Sequence, residues 1–550
     1  MTRKPALLNK IFRAALPAYG RWRLGQIGRE DSVASQRRIL LRLVRTARDT
    51  QFGRDHDFAG IQSVADYQAR VPLRRYDDFW RDYWKPQFPV LDNVTWPGRY
   101  PYFAMSSGTT TGLNKYIPTS RALVHNNAAA VRDMFVYHYR AYEADPDAGV
   151  FQGKVFLLGG STAFTEEAPG VLAGDMSGIE TAEIPVPFRQ FFFPPLELAL
   201  IADWEEKIEK VARASLNEDI RAIIGPPNWL LVFFDRLLQM KPGAAELRDV
   251  YPNLELILHG GMNFAPYRAR FHQLLAGSKA ETREIYAASE GFFAVADRGD
   301  GEGMRLITDS AIFYEFIPVS ELNQPQPTRH WMGNIEPGVE YAMALTSCSG
   351  AWSYIIGDTV RFIDTRPPRL LVTGRTSYVL TAFGEHLIAE QLEDAVGRAA
   401  RAVGVDVRDY SVGSIYPDGN EVAGGHRYFI EFESGAPPVR DLATFQCVLD
   451  ERLIELNEDY QRRRAGGIGL RAPVIEPVGP GTFKAWMKHR GKLGGQNKVP
   501  RIINDQELLA SLETFALQFS RDSGATDGMT MVRPPKVTSG RVDGSQQLRH

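Results

Sequence analysis

Two cysteines in 550 residues, Cys348 and Cys447, are too few for a disulfide framework, and the chain suits a reducing compartment. Cys348, beside Ser347 at an expected strand end, reads as a small buried residue and not as a nucleophile. An excess of charge is also missing. Lys+Arg at 64 against Asp+Glu at 66 leave a net −2, which removes the electrostatic case for nucleic acid or an anionic membrane as a partner. No apolar run reaches 18 residues, so no membrane insertion is expected; the strongest run, Trp229 to Phe234, is short and follows Pro226-Pro227. Pro5, Asn9, Lys10 and Arg13 interrupt the basic N-terminus before any apolar stretch can form, which leaves a soluble cytoplasmic protein as the expectation. Two catalytic signatures are missing as well. There is no G-x-S-x-G elbow for an acyl-serine hydrolase. The glycine-rich stretch near residue 110 is not a Walker A loop, because Gly112 is followed by Leu113-Asn114-Lys115-Tyr116.

That stretch is the most informative one present. Ser106-Ser107-Gly108-Thr109-Thr110-Thr111-Gly112, followed by Lys115, packs two glycines, five hydroxyls and a lysine into ten residues. Glycine permits sharp turns and close approach to a ligand, and successive N–H groups in such a turn make an anion-binding concavity. Lys115 adds a point charge suited to phosphate. A surface linker has the same composition. Here, however, Tyr102 to Met105 precede the loop and Tyr116 to Pro118 follow it, so it reads as a turn between two short buried strands.

The pattern along the chain is mixed α/β. Residues 31 to 80 read as helical, with Ile39, Leu40, Leu43 and Val44 at helical spacing. Ser120 reads as the N-cap of a helix running towards Tyr139. Short apolar strands over Lys154–Leu158, Ala222–Ile224, Leu254–Leu258 and Glu284–Tyr286 alternate with helices such as Asp203 to Leu216, and end in glycine or polar turns. That pattern predicts a largely parallel sheet with ligands at the carboxyl ends of its strands, where Gly261, Ala287, Ser289 and Glu290 fall. From about residue 305 strands dominate, through Phe313–Ile317, Tyr341–Leu345 and Val360–Ile363. Beyond Gly374-Arg375, helices over Gly384–Arg398 and Leu442–Tyr460 flank a strand over Tyr428–Phe432, as in a smaller α+β domain. The tail after Asp522 has the composition of a disordered segment.

The remaining candidates leave alternatives open. Asp358, placed after Gly357 at an expected strand end or tight turn, either caps its own backbone or accepts from a ribose diol. Glu385, His386 and Glu390 imitate metal ligands on a helical turn without forming H-E-x-x-H, and a solvated helix face is the preferred reading. Lys484, Lys488, Arg490, Lys492, Lys498 and Arg501 form a cationic cluster interleaved with Gly491, Gly494-Gly495 and Pro500. It reads as a shaped loop, one of whose lysines could swing into an active site.

Taken together and in order, the motif at 106–115, Tyr286-Ala-Ala-Ser-Glu290, Tyr314-Glu-Phe-Ile-Pro318, Gly357-Asp358, Gly374-Arg375 and Gly494-Gly-Gln-Asn-Lys498-Val-Pro-Arg501 resemble the signature set of the Gretchen Hagen type acyl-acid amido synthetases. These are plant auxin- and jasmonate-conjugating enzymes and their bacterial relatives, within the adenylate-forming superfamily. The resemblance spans roughly residues 30 to 515, and Tyr314 to Pro318 points to this family over the wider superfamily. It implies a large N-terminal ATP- and acyl-binding domain with mixed sheets over 1–375, a hinge shortly after Arg375, a smaller mobile C-terminal domain over 376–520 and a tail over 521–550. It implies ATP and Mg²⁺, a small carboxylic acid that is adenylated with release of pyrophosphate, and an amine, usually of an amino acid, that displaces AMP.

By position, the resemblance gives Ser106, Ser107, Gly108, Thr109, Thr110 and Thr111 to the phosphates, with Lys115 and Gly261 beside the nucleotide. Tyr286 lies against the adenine, with Ala287 and Ser289 alongside. Glu290 ligates Mg²⁺, Asp358 binds the ribose with Arg375 near it, and Lys498 meets the phosphate during adenylation, with Lys484 and Lys492 as alternatives. The chain departs from the plant pattern at Ile355, Asn497 and Ser377, which removes no reacting group but weakens any inference of a plant-hormone substrate. Phe188, Phe191 to Phe193 and Trp229 are candidates for the acyl pocket, core packing being the commoner role for each. A thiol-accepting acyl-adenylate ligase and a catalytically silent nucleotide-binding protein remain as alternative functions.

Overall fold

The computed structural model describes residues 18–107, 114–141, 149–159, 164–201, 203–261, 264, 267–299, 301–376, 380, 385, 387–416, 424–457, 460–461, 464, 470–492 and 498–522. The loop at 108–113, Ser377, His386, the run 493–497 and the tail beyond Asp522 lie outside them.

The helical pattern near the N-terminus forms as its spacing predicts. Helix α1 (Ser32–Ala47) starts where the Asp31 carboxylate accepts from the Val33 and Ala34 N–H groups, and it buries Ile39, Leu40, Leu43, Val44 and Ala47. Strands β1 (Tyr102–Ser107) and β2 (Asn114–Thr119) pair antiparallel, Ser106 opposite Lys115, so the Ser/Thr/Gly loop does connect two strands. Ser120 then caps α2 (Arg121–Ala141), its hydroxyl accepting from the Leu123 N–H at 3.1 Å.

The strands read as parallel are parallel and adjacent. β3 (Lys154–Leu157) pairs in that sense with a later strand, while β4 (Thr165–Ala168) and β5 (Val171–Gly174) complete a four-stranded sheet with β1 and β2. β6 (Phe192–Phe193), β7 (Ile220–Gly225), β8 (Leu256–Gly260) and β9 (Glu281–Ala288) make a parallel array in the order β9-β8-β7-β3-β6. Helices α3 (Met176–Ala182), α4 (Trp204–Ser215) and α5 (Pro227–Met240) intervene in sequence.

The largely parallel reading covers only half of this sheet. β9 turns through Ser289-Glu290 into antiparallel β10 (Gly291–Val295). β11 (Met304–Leu306), β12 (Ile312–Pro318), β13 (Glu340–Ser347), β14 (Tyr354–Thr365) and β15 (Pro368–Arg375) then extend the same sheet to eleven strands. The sequence break near residue 305 is therefore a change of strand direction within one sheet. Asp358 sits inside β14 and not at a strand end.

A separate four-stranded sheet follows, in the order β18-β17-β16-β19. Its strands are β16 (Val407–Ile415), β17 (Gly425–Phe432), β18 (Val474–Val478) and β19 (Ile502–Ile503), with helices α6 (Ala389–Val403), α7 (Val439–Leu456), α8 (Thr482–His489) and α9 (Gln506–Asp522). Leu392, Val396, Val412, Tyr428, Ile430, Phe445 and Leu449 form a core of their own.

Two expectations fail here. The helix expected from Gly384 starts at Ala389, so Glu385 and Glu390 do not share a helical face. Glu385 is fully buried against His426 Nε2 at 2.8 Å, and Glu390 pairs with Arg361 at 3.1 Å. The former is held by a buried histidine 41 residues away and is not solvated. Lys484 and Lys488 lie on α8, because Phe483, Trp486 and Met487 supply a buried helical stripe that a glycine-based reading overlooks.

Below the amino ends of the parallel strands lies a buried ionic group. His138 Nδ1 donates to Glu281 at 2.7 Å, while Glu255, wholly buried, accepts from Arg221 at 2.9 Å and from the Gly149 N–H at 2.8 Å. Burial opposes the imidazolium, yet Glu255 and Glu281 outweigh it and raise the His138 pKa. Glu255 and Glu281, against their own burial, are held below the usual range by His138 and their arginines. The histidine contribution is complete below its unfolded value of about 6.5 and is lost as pH rises through the raised folded value. The carboxylate contribution is present above about 4.3 and is lost as pH falls through the depressed folded values. His138→Gln should therefore lower Tm most between about pH 4.5 and 6.5, the deficit shrinking in alkali. Thermal melts showing one constant deficit from acid to alkali would contradict this.

Candidate active site

The hairpin β1–β2, the turn β9–β10 and the paired strands β14–β15 bring their polar residues together. Asp358 and Arg375 are register partners across β14 and β15, and Arg375 Nε donates to Asp358 Oδ1 at 2.7 Å. The Tyr286 hydroxyl, from β9, donates to the other oxygen, Oδ2, at 2.8 Å. Burial, then the adjacent Asp358 charge, raises the Tyr286 pKa well above the ordinary phenol range, so it remains a donor. Next to this carboxylate Gly357 takes φ +93°, a conformation that favours glycine, and its carbonyl accepts from the Thr376 N–H at 2.6 Å.

Glu290 lies in the β9–β10 turn, and its charge adds to burial in raising the Tyr354 pKa well above the ordinary phenol range. Burial raises the Glu290 pKa, opposed by Lys115 and reinforced by Asp358. Lys115, half-buried on β2, holds its ammonium 5.2 Å from the Tyr76 ring centroid. Burial lowers its pKa, with Glu290 pulling upward and Arg375 downward. The Tyr76 hydroxyl accepts from the Tyr116 N–H at 2.9 Å, tying that ring to the strand that carries Lys115.

Lys498 comes from the small sheet's side and donates to the carbonyl of Gly261, the residue after β8. Gly261 has φ +79°, and a Cβ there would stand 3.4 Å from the Lys498 ammonium. The side chain keeps an exposed flank. The walls of the cleft, then Arg375, lower its pKa to about 8, while Asp358 opposes them. Of the three lysines considered from sequence, Lys498 interacts with these groups; Lys484 lies on α8 and Lys492 follows it.

Lys115, Glu290, Tyr286, Asp358, Arg375, Gly261 and Lys498 thus interact as one cluster. Ala287 and the buried Ser289 flank it on the β9–β10 hairpin, and Ser106 and Ser107 end the strand opposite Lys115. Gly108 to Thr111 fall outside the described residues. Phe193 and Trp229 pack in the core beneath β3 and β7, Phe191 is buried 6.1 Å from Phe151, and Phe188 and Phe192 are half-buried.

Two participants were not singled out from sequence. Tyr354 stands four residues before Asp358 and shares its strand, a usable signal. Tyr76 lies in a short helical segment remote in sequence and carries none.

Among the described residues no group of three or more His, Cys, Asp or Glu is arranged to hold a metal by itself. A single carboxylate with room for an anionic ligand still suits Mg²⁺, which is commonly held by one or two carboxylates together with substrate phosphates. Glu290, with cationic Lys115 beside it, fits that arrangement.

A parallel array extended by antiparallel strands, a four-stranded sheet beside it in sequence and a smaller α+β unit make a mixed α/β fold. Three family models match in order: the GH3 family N-terminal domain over residues 29–203, its central domain over 305–375 and its C-terminal domain over 390–507. Together they cover well over half of the chain, which belongs to the GH3 family.

Among relatives, indole-3-acetic acid-amido synthetase GH3.8 of Oryza sativa subsp. indica is 23% identical, over 88% of this chain and 90% of its own length. Indole-3-acetic acid-amido synthetase GH3.3 of Arabidopsis thaliana is 20% identical over 87% and 91%. The solved structure of AtGH3.15 acyl acid amido synthetase in complex with 2,4-DB superimposes with a TM-score of 0.73 at 16% identity, covering 94% of this chain and 97% of that one. A 2-hydroxyisobutyryl-CoA ligase in its postadenylation state gives 0.56 at 15% identity, over 87% and 91%. At these identities the structural likeness is one of fold.

Cys348 is buried, and burial pushes its thiol up to about 12, which excludes a thiolate nucleophile at neutral pH. Cys447 is exposed. Iodoacetamide should add one label to the native protein and two to the unfolded one, by intact mass. Native labelling of Cys348 would overturn its assignment as inert.

Proposed function

We propose that this protein is an ATP-dependent acyl-acid amido synthetase, a cytoplasmic enzyme of the bacterial branch of its family. The observation that carries this reading is the convergence of Lys498 from the small unit with Lys115, Glu290, Asp358 and Arg375 from the large one. Its substrates are ATP, a small carboxylic acid and an amine of an amino acid. A carboxylate oxygen attacks the α-phosphorus and pyrophosphate leaves. The amine nitrogen then attacks the acyl carbon, the C–O bond to the phosphate breaks, AMP departs, and the amine proton passes to solvent. Ile355 and Asn497, which differ from the plant motifs, weaken any inference of a plant-hormone substrate. Among the described residues no helix is long and apolar enough to cross a membrane.

In this reading Ser106 to Thr111 donate to the phosphates and Lys115 neutralises them. Tyr286, Ala287 and Gly261 line the base, and Asp358 keeps lone pairs for the ribose hydroxyls beyond those given to Tyr286 and Arg375. Glu290 would hold Mg²⁺, which when bound supplies charge neutralisation at the phosphates. Lys498 faces the charge that develops on the α-phosphate, a preorganised electrostatic role. Residues 1–375 form the ATP- and acyl-binding unit. Residues 376–520 form a unit that rotates after Arg375 once adenylation is complete and withdraws Lys498.

Pyrophosphate release across a panel of carboxylic acids, with amino acids or coenzyme A as acceptors, tests the reading. Acid-dependent release with amide formation supports it; thioester formation alone, or no release at all, would reject it. Lys498→Ala should slow pyrophosphate release by orders of magnitude yet still transfer the acyl group from a presynthesised adenylate to an amine. Equal loss in both half-reactions contradicts the rotation. The free-enzyme ammonium is lost as pH rises through about 8. The wild-type kcat/KM for ATP should accordingly decline in alkali, and a flat profile to pH 10 would argue against a charged Lys498. Ser107→Ala combined with Thr110→Ala should weaken ATP use, each donor to a charged group contributing about 1.5–3 kcal/mol. Unchanged ATP kinetics in that folded variant would remove the loop from the site.

A further inference from the structure

Glu390, read from sequence as a mimic of a metal ligand, has an arginine for its partner and lies at the border of the two units. The chain leaves the large unit at Thr376, whose N–H donates to the Gly357 carbonyl of β14 at 2.6 Å. By Leu380 it has entered the small unit: Leu380 exchanges backbone hydrogen bonds with Leu387 at 2.9 and 3.0 Å, and both share a buried core with Leu392 and Val396. Glu390 stands between Leu387 and Leu392, in the first turn of α6, so it moves with the small unit. Its carboxylate nevertheless accepts from Arg361 of β14, from Nη2 at 3.1 Å and from Nη1 at 3.4 Å. Arg361 Nη1 also donates to Glu340 of β13 at 2.7 Å, and the other Glu340 oxygen accepts from the Thr373 hydroxyl of β15 at 2.6 Å. Beside these bonds the units meet in van der Waals contact, since a Cβ on Gly374 of β15 would lie 3.4 Å from the Ala389 Cβ.

Arg361 therefore holds one carboxylate from each unit. Glu340 sits on a neighbouring strand and is itself held by Thr373, so parting from Glu390 leaves the guanidinium paired. The Arg361 side chain is 30% exposed and that of Glu390 38%, so water can take over the released carboxylate and no uncompensated charge is buried. A pair this exposed contributes little to folding. Its two parallel bonds do carry geometry, and they set where the start of α6 rests on β14 and β15. The contact of Lys498 with the Gly261 carbonyl is a second polar tie between the same two units.

We infer that Arg361 and Glu390 form a docking pair that positions the small unit where Lys498 reaches Gly261, and that this pair parts when the unit turns. Both are positioning residues; neither touches substrate. The inference rests on the rotation proposed above and names a contact that the rotation breaks and remakes. Glu340 makes the break reversible, because it keeps Arg361 charged and oriented for the return of Glu390.

The test measures the distance between the units in the full-length protein. One nitroxide goes on Cys447, exposed on α7, and the other on Lys85→Cys, an exposed position of the large unit; buried Cys348 takes no label. Double electron–electron resonance then reads the distance distribution without ligands, with ATP, and with ATP, an acid and an amine. Two distances are expected, one docked and one turned. Glu390→Gln should raise the turned-to-docked ratio about two- to fivefold, the scale of a half-exposed ion pair, and Glu390→Lys, which sets two cations together, should raise it further. Salt raised from about 50 mM to about 0.5 M should move the unsubstituted pair the same way and leave Glu390→Gln unmoved. Glu390→Gln should slow pyrophosphate release by the same factor and leave acyl transfer from a presynthesised adenylate unslowed. Ratios unchanged in both Glu390 variants overturn the inference while two distances still uphold the rotation. Equal slowing of both half-reactions with a lowered Tm marks the pair as merely structural and overturns it as well. A single distance with Glu390 intact under every ligand condition instead overturns the rotation itself, and this inference with it.

Discussion

The carboxylate of Asp358 is the point on which the large unit closes. One oxygen takes the Arg375 guanidinium from β15, and the other takes the Tyr286 hydroxyl from β9. The first bond secures the last strand before the chain leaves for the small unit; the second joins the antiparallel half of the eleven-stranded sheet to its parallel half. The Tyr286 hydroxyl is buried, and a buried donor left unsatisfied costs about 1–3 kcal/mol. Because the interaction lies beside the carboxyl ends of β8 and β9, structural closure and the ligand crevice share a location.

Around that point charges of both signs crowd together. Lys115 stands against Glu290 and Asp77, and Lys498 against Asp358 and Glu393, while Arg375 lowers the pKa of both lysines in addition to their burial. Lysines lowered in this way gain from an anion beside them, and a polyphosphate supplies it with several acceptor oxygens at once. Lys498 arrives from the segment next to the separate small sheet and reaches the Gly261 carbonyl of the large one.

Local pattern made much of this legible from the sequence. The β3, β7, β8 and β9 strands have continuous apolar cores ending in glycine or polar turns, and their parallel order follows from the helices between them. The Ser/Thr/Gly loop was placed between strands by its aromatic flanks, and the hairpin agrees. Long-range pairing was less visible. That β10 to β15 extend the same sheet depends on the turn at Ser289-Glu290, which composition does not distinguish from a loop. Asp358 looked like a turn residue because Gly357 precedes it, whereas the glycine serves a left-handed step within a continuous strand. Glu385 looked solvated because it is charged; His426, 41 residues away, buries it. The contact of Lys498 with Gly261 spans 237 residues, and no spacing rule reaches that far.

The central claim is that this cleft joins a carboxylate to the α-phosphate of ATP. It is tested most directly by the fate of the carboxylate oxygen. With a panel of ¹⁸O-carboxylate acids, ATP, Mg²⁺ and amino acids, the account predicts one ¹⁸O in the phosphate of AMP for each amide formed, read by mass spectrometry. Label recovered in inorganic phosphate with ADP as the nucleotide product, or amide formed with unlabelled AMP, would contradict it.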